Sequence, residues 1–346
     1  MGIQTRRVAD VTARRDAIRS FVDAAGWGNS ASVLVAGDAS NRKYERLTKP
    51  DGKTAILMDA PPEKGEDVTA FVTIARHLTG HGFSAPAIFE QDALAGFLLI
   101  EDLGDDLFAR LMNRDIKWEL PLYEAATDVL ISLHRAPLLP LDICDADWLT
   151  DMTAPAFEWY AQADSASLMD NFTAQFRPLA ALLDAVSKVV ILRDYHAENL
   201  LWLPKRDGIA RVGILDFQDA LLGHPAYDLV SVLQDARRDV DPMIERAMIN
   251  RYVVETGVDA EAFRSAYAIL GAQRNLRIIG IFARLCLRDG KAHYVDMIPR
   301  VWRYAMRNLQ NPALANVATF INDCLPPPTP EFLEHLKSQC TTHPTL

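Results

Sequence analysis

Arg193-Asp194-Tyr195-His196-Ala197-Glu198-Asn199 and, further on, Leu215-Asp216-Phe217-Gln218-Asp219 decide how this chain is read. Asp194 and Asn199 follow the apolar run Val189-Val190-Ile191-Leu192, and Asp216 follows a second run, Val212 to Leu215. Short runs of this kind, rich in β-branched residues, read as strands, and Pro-Lys-Arg-Asp-Gly at 204–208 reads as a turn between them. Three short polar side chains therefore stand at strand ends. Phosphoryl transfer needs such a set: one carboxylate orients or deprotonates the attacking hydroxyl, while an amide and a second carboxylate hold Mg²⁺ against the nucleotide phosphates. Asp194, Asn199 and Asp216 are expected to take those roles in order. The bland alternative is a hairpin whose Asp and Asn residues merely cap turns.

The two motifs resemble the catalytic loop and metal-binding motif of the aminoglycoside phosphotransferase and choline kinase family, relatives of the protein kinases. Gly223-His224-Pro225-Ala226-Tyr227-Asp228-Leu229 resembles the family's next motif, in which the Asp, here Asp228, buttresses the catalytic loop; His196 is expected to support the same loop. Four further stretches, Met58-Asp59-Ala60-Pro61-Pro62, Asp216-Phe217-Gln218-Asp219-Ala220, Leu233-Gln234-Asp235-Ala236-Arg237-Arg238 and Gln273-Arg274-Asn275-Leu276, narrow the resemblance. They are similar to bacterial anomeric kinases of N-acetylmuramate and N-acetylglucosamine, which serve peptidoglycan recycling. The resemblance runs from about Val33 to about Asn311. It implies an α+β, protein-kinase-like two-lobe fold: a nucleotide-binding N-lobe with a small antiparallel sheet over residues 1–103, and a mostly helical C-lobe over 104–346 for catalysis and sugar binding. ATP and Mg²⁺ are the implied cofactors, and a sugar 1-phosphate the implied product.

Bulk properties agree with an enzyme of this size. A chain of 346 residues, 49% hydrophobic, can bury a large core, and its length suggests two lobes. Cys144, Cys286, Cys324 and Cys340 show no metal-ligand spacing, so a reducing compartment is expected. No signal-peptide core or membrane-length apolar run is present, which makes the expected location cytoplasmic. A net charge of −10 argues against nucleic acid or anionic lipid as general partners. The expected partner is a small amino-sugar substrate, with no obligate protein partner inferred.

Alternation predicts strands over Ser32–Gly37, Lys43–Thr48 and Thr54–Met58, and helical spacing predicts a helix over Asp67–Leu78. The turn Gly37-Asp38-Ala39-Ser40-Asn41-Arg42 lies where the family covers the nucleotide phosphates. It has a single glycine, yet backbone amides near Ser40 and Asn41, with Arg42 and Lys43 as cations, are candidate phosphate contacts; the alternative is a polar hairpin tip. Leu98-Leu99-Ile100-Glu101-Asp102-Leu103-Gly104 resembles the family's hinge, where the adenine bonds main-chain groups, which makes Glu101 and Leu103 candidates through their backbone. One departure stands out. The third strand, Thr54-Ala55-Ile56-Leu57-Met58, lacks the Lys or Arg that relatives pair with a helix Glu, and the following helix offers no Glu after Glu66.

On a helix predicted from about Ala262 to Leu287, Arg274, Arg277, Arg284 and Arg288 share a stripe. Such a stripe is often only a solvated face. As a functional feature, Arg274 or Arg277 would bind the lactyl carboxylate of N-acetylmuramate, while Gln218 and Asp219 would bond sugar hydroxyls. Phe157, Trp159 and Tyr160 read as core rather than a sugar platform. The tail from Leu325 either packs as a short helix over Glu331–Lys337 or stays mobile. Two rivals remain: a kinase of an aminoglycoside, choline or homoserine-type hydroxyl, and a pseudokinase-like binding module, to which the missing third-strand Lys would belong.

Overall fold

The computed structural model describes residues 2–37, 41–161 and 164–342, with the side chains of 2–11, 36 and 37 outside that description. Helix α1 (Gly2–Ala24) is followed by strands β1 (Ala31–Gly37), β2 (Lys43–Thr48) and β3 (Thr54–Asp59), helix α2 (Thr69–Gly80), and strands β4 (Ile88–Asp92) and β5 (Phe97–Glu101). The strands form one antiparallel sheet in the order β1-β2-β3-β5-β4. Side chains alternate across a pleated sheet, so each strand splits its residues between two faces. Leu47, Ala55, Leu57 and Leu99 gather on one face, where Ile18, Phe21 and Val22 of α1, with Ala25 and Trp27 just beyond it, cover them. Tyr44, Arg46, Ile56 and Ile100 are left to the other face and line a cavity.

The chain folds as two compact units: Met1–Arg110 with Asn199–Asp219, and Leu111–Glu198 with Ala220–Leu346. The segment 199–219, which the expected boundary after residue 103 assigned to the second lobe, packs within the first unit. Its hydrogen bonds explain this. It contains β7 (Leu200–Trp202) paired with β8 (Val212–Ile214), the seventh and eighth strands in chain order. Trp202 N donates to Asp106 O at 2.8 Å and Ile214 N to Ser84 O at 2.9 Å, while Phe217 stacks obliquely on Phe71 of α2 at 4.8 Å.

The second unit is mainly helical. Along the chain come α3 (Phe108–Arg114), which straddles the division, α4 (Glu119–Leu133), α5 (Ala146–Asp151), α6 (Ser165–Leu183), the strands β6 (Val189–Ile191) and β9 (Leu221–Gly223), then α7 (Ala226–Leu233), α8 (Pro242–Thr256), α9 (Ala260–Leu287), α10 (Ile298–Asn308), α11 (Ala315–Cys324) and α12 (Pro330–Ser338). β6 pairs antiparallel with β9, a strand the sequence reading missed because Leu221-Leu222-Gly223 is too short to show alternation. The long helix α9 is buried along most of its length. At Gly280 it passes so close to the turn before Phe157 that a Cβ there would fall 2.1 Å from the Pro155 carbonyl carbon. Phe157 and Tyr160 are core. The tail packs as α12, with Phe332 edge-on to Tyr160 at 5.0 Å.

Cys286 and Cys340 form a disulfide across 54 residues, whereas Cys144 and Cys324 are free. The expectation of reduced cysteines overlooked this pair, because only the return of the chain after α12 to the end of α9 brings the two together. Among the described residues, no helix is long and apolar enough to cross a membrane.

Candidate active site

In the second unit the residues expected to form the catalytic loop, Arg193 onward, follow β6. Asp228, fully buried on α7, accepts hydrogen bonds from the amides of Leu192 at 2.6 Å and Arg193 at 2.9 Å. Burial pushes its carboxyl up to about 6, against the downward pull of those two amides and of Arg274. Ser231 Oγ donates to Arg193 O at 3.1 Å, and Asp194 N to Leu192 O at 2.8 Å. Arg193 is thereby held at φ 68°, in the left-handed region that side-chain-bearing residues avoid. Strain of this kind persists only where the surroundings over-determine it, and here every backbone group named has a partner. Tyr195 anchors the loop below through its hydroxyl to Ala126 O at 2.9 Å. His196 Nε2 lies 3.2 Å from Arg237 Nη1, and burial with the nearby cations Arg237 and Arg274 holds its imidazole well below the ordinary range, so it accepts from Arg237 as a neutral ring.

Asp194 Oδ1 lies 4.0 Å from Arg274 Nη2. The rotation of α9 that aims Arg274 there is fixed by its neighbours in sequence. Gln273 Nε2 donates to Leu149 O at 2.8 Å on one side, and Asn275 Nδ2 to Gln234 Oε1 at 2.7 Å on the other. Gln234 also bonds Asn308 and Glu245. Buried polar groups left without partners cost more than the bonds themselves contribute, so this hub tolerates one arrangement of α7, α9 and α10. Arg274 also lies over Tyr227, 5.6 Å from the ring centroid, and Arg277 over Trp148 at 5.9 Å.

In the first unit, Asn199 and Asp216 flank the β7–β8 pair. Leu215 N donates to Asn199 O at 2.9 Å, and Asn199 Nδ2 to Asp216 Oδ2 at 3.2 Å. Asp216 sits at φ 57°, the second left-handed non-glycine residue of the motifs. Gln218 Nε2 donates to Asp216 Oδ1 at 2.8 Å. Asn199, Asp216 and Gln218 line the cavity of about 350 Å³ together with Ile56, Ile100, Leu103 and Leu201. Apolar walls with a few convergent polar groups suit a planar base carrying a charged tail. An amide and a carboxylate also suit a hard cation, which keeps several waters and uses few protein oxygens. With the Asn199 side chain turned to present its oxygen, both donors become oxygen ligands.

A sequence model of the phosphotransferase enzyme family matches residues 33–265. The chain belongs to that family. It resembles an N-acetylmuramate/N-acetylglucosamine kinase of Caulobacter vibrioides, 40% identical over 90% of this chain and 97% of that protein. A kinase of the same name from Pseudomonas aeruginosa is 33% identical, over 81% and 85% of the two chains. The fold matches that of a Streptococcus pneumoniae choline kinase, with a TM-score of 0.61 and 14% identity over 84% of this chain and 98% of that one. Like its family, this phosphotransferase moves a phosphoryl group from ATP to a hydroxyl.

The other predicted residues fall as follows. Ser40 lies outside the described residues. Asn41 N and Arg42 Nε bond the two carboxylate oxygens of Glu66 at 3.0 and 2.7 Å, and Lys43 is exposed at the start of β2. The Glu66 carboxylate, passed over as lacking a third-strand Lys, thus has a cation on the entry to the second strand. Glu101 and Leu103 line the cavity, and the Glu101 side chain is taken by Arg206. Asp219 is exposed in the first unit; Arg274 and Arg277 lie in the second. Sequence reasoning missed Arg46. It stands opposite Ile56 in the strand register and faces the cavity, where Asp102 and Asp105 hold it at 2.9 and 3.0 Å. Its position two residues from Tyr44 on one face was the signal available. Arg193 was also missed as a side chain, because the ring it lies over, Trp148, is far from it in the chain.

Proposed function

We propose that this phosphotransferase is an anomeric amino-sugar kinase, converting N-acetylmuramate, N-acetylglucosamine or both to the 1-phosphate in the cytoplasm as part of peptidoglycan recycling. The observation that carries the reading is the near-full-length similarity to kinases of that name. Asp194 orients the anomeric hydroxyl and takes its proton as the oxygen attacks the γ-phosphorus of ATP. Asn199 and Asp216 hold Mg²⁺, which when bound offsets the charge developing on the phosphate oxygens. Ile56, Ile100 and Leu103 enclose the adenine, with the backbone of Glu101 and Leu103 at its edge. Asn41, Arg42 and Lys43 lie toward the phosphates, and Gln218 and Asp219 toward the sugar hydroxyls.

Electrostatics favours this acceptor over a polycation. An aminoglycoside pocket should be lined by carboxylates, whereas Arg193, Arg274 and Arg277 surround Asp194. The test is incubation with Mg-ATP and each of N-acetylmuramate, N-acetylglucosamine, kanamycin and choline, following ADP release and phosphorus NMR. An acid-labile anomeric phosphate on an amino sugar, absent with Asp194→Ala, is the expected result. Turnover only with kanamycin or choline would discard the amino-sugar reading.

A further inference from the structure

Three guanidinium groups meet beside Asp194. Arg193 lies over the Trp148 ring at 5.3 Å and Arg277 over the same ring at 5.9 Å, while Arg274 lies over Tyr227. Arg274 is 7% exposed. Its Nε, and that of Arg277, are buried with no hydrogen-bond partner among the described residues. Arg277 has no carboxylate within ion-pair distance among the described residues, and burial together with Arg193 and Arg274 lowers its proton affinity. The acidic groups facing the cluster are Asp194 and the fully buried Asp228, and Asp228 is committed to the amides of Leu192 and Arg193. Asp194 stands 4.0 Å from Arg274, which leaves Arg277 as the cation of the three with no carboxylate at hand among the described residues; a largely buried cation kept this way is costly, so its place beside Arg193 on Trp148 suits an anion that arrives from outside. Guanidinium groups suit a carboxylate through paired parallel hydrogen bonds. The aromatic plates fix their planes without neutralising them.

We propose that Arg193, Arg274 and Arg277 form a carboxylate cradle that selects acceptor sugars bearing an acidic ether substituent over neutral ones. This rests on the amino-sugar kinase reading. N-acetylmuramate and N-acetylglucosamine share the reacting hydroxyl, and the carboxylate is carried by the lactyl ether on carbon 3 of the first. The cradle therefore acts on sugar discrimination, separately from phosphoryl transfer, and Arg193 ties it to the catalytic loop because its own backbone is held by Asp228 and Ser231.

The experiment compares kcat/KM for N-acetylmuramate, its methyl ester and N-acetylglucosamine in the wild type, Arg277→Gln and Arg277→Lys. In the wild type, esterification is expected to raise KM roughly 10- to 100-fold, the worth of charge-assisted bonds in a desolvated site. In Arg277→Gln the ratio of kcat/KM between the acid and N-acetylglucosamine falls by a similar factor, and Arg277→Lys restores part of it. An ester as good as the acid in the wild type overturns the proposal even if both variants fail to fold. Equal loss on both sugars, or a raised KM for ATP, overturns it by assigning the cluster to the transferring phosphate. Wild-type silence on every amino sugar overturns the proposal along with the kinase reading, whereas turnover without discrimination overturns the cradle alone.

Discussion

Asp194 is 42% exposed on its side chain while the backbone around it is tightly bonded, a combination that suits a group which must meet a substrate in fixed geometry. Replacing it by Ala is expected to lower kcat roughly 10²- to 10⁴-fold, the usual worth of a positioned base. Nucleotide affinity, measured by fluorescence titration, should hold; a parallel loss of ATP binding would count against its role. Asp216→Asn exchanges a charged oxygen donor for a neutral one, so half-maximal activity should require more Mg²⁺. An unaltered Mg²⁺ titration would remove Asp216 from the metal. These candidates were legible because their chemistry and spacing are local. Arg46 was not, since its meaning depends on which face of a sheet it occupies.

Among the elements, α7 and α9 set the site through hydrogen bonds rather than through apolar packing alone. Asp228→Ala leaves the buried amides of Leu192 and Arg193 without an acceptor, costing about 1–3 kcal/mol for each, and it frees Arg193 to leave its strained conformation. Urea unfolding should show the destabilisation and steady-state kinetics a fall in kcat larger than any change in the KM for ATP. Gly280→Ala drives a methyl group into the Pro155 backbone and should cost roughly 1–3 kcal/mol by overpacking. A stability equal to wild type would mean that α9 and the Pro155 turn are not in contact in solution. The helices themselves were visible as periodic apolar patterns. The partners of Gln234 were not, because Asn275 and Asn308 lie 41 and 74 residues away.

Over the whole molecule, stability should depend on buried titrating groups of opposite sign. Burial lowers His134 to about 3 and His224 to about 4, so the unfolded chain takes up protons first as pH falls below about 6.5. Each histidine then removes about 1.4 kcal/mol per pH unit until its folded value is reached. Asp228, raised to about 6, acts the other way: between pH 6 and its unfolded value the folded chain binds the proton more tightly, so acidification there is stabilising. His134→Gln should therefore flatten the loss of stability between pH 6 and 4, read from urea unfolding; an unchanged slope would place His134 in contact with water. Thiol titration of the denatured, unreduced chain should give two reactive groups, from Cys144 and Cys324, and four after reduction. The sequence by itself determined the family, the candidates for the catalytic and metal-holding roles and most of the run of elements, because motifs and periodicity are properties of neighbouring residues. Only the tertiary structure decided that Arg193, Arg274 and Arg277 meet on Trp148 and Tyr227, that 199–219 folds with the first unit, and that Cys286 joins Cys340. Those outcomes depend on the rotation of α9 and on strand pairings between residues far apart in the chain, which no local pattern records.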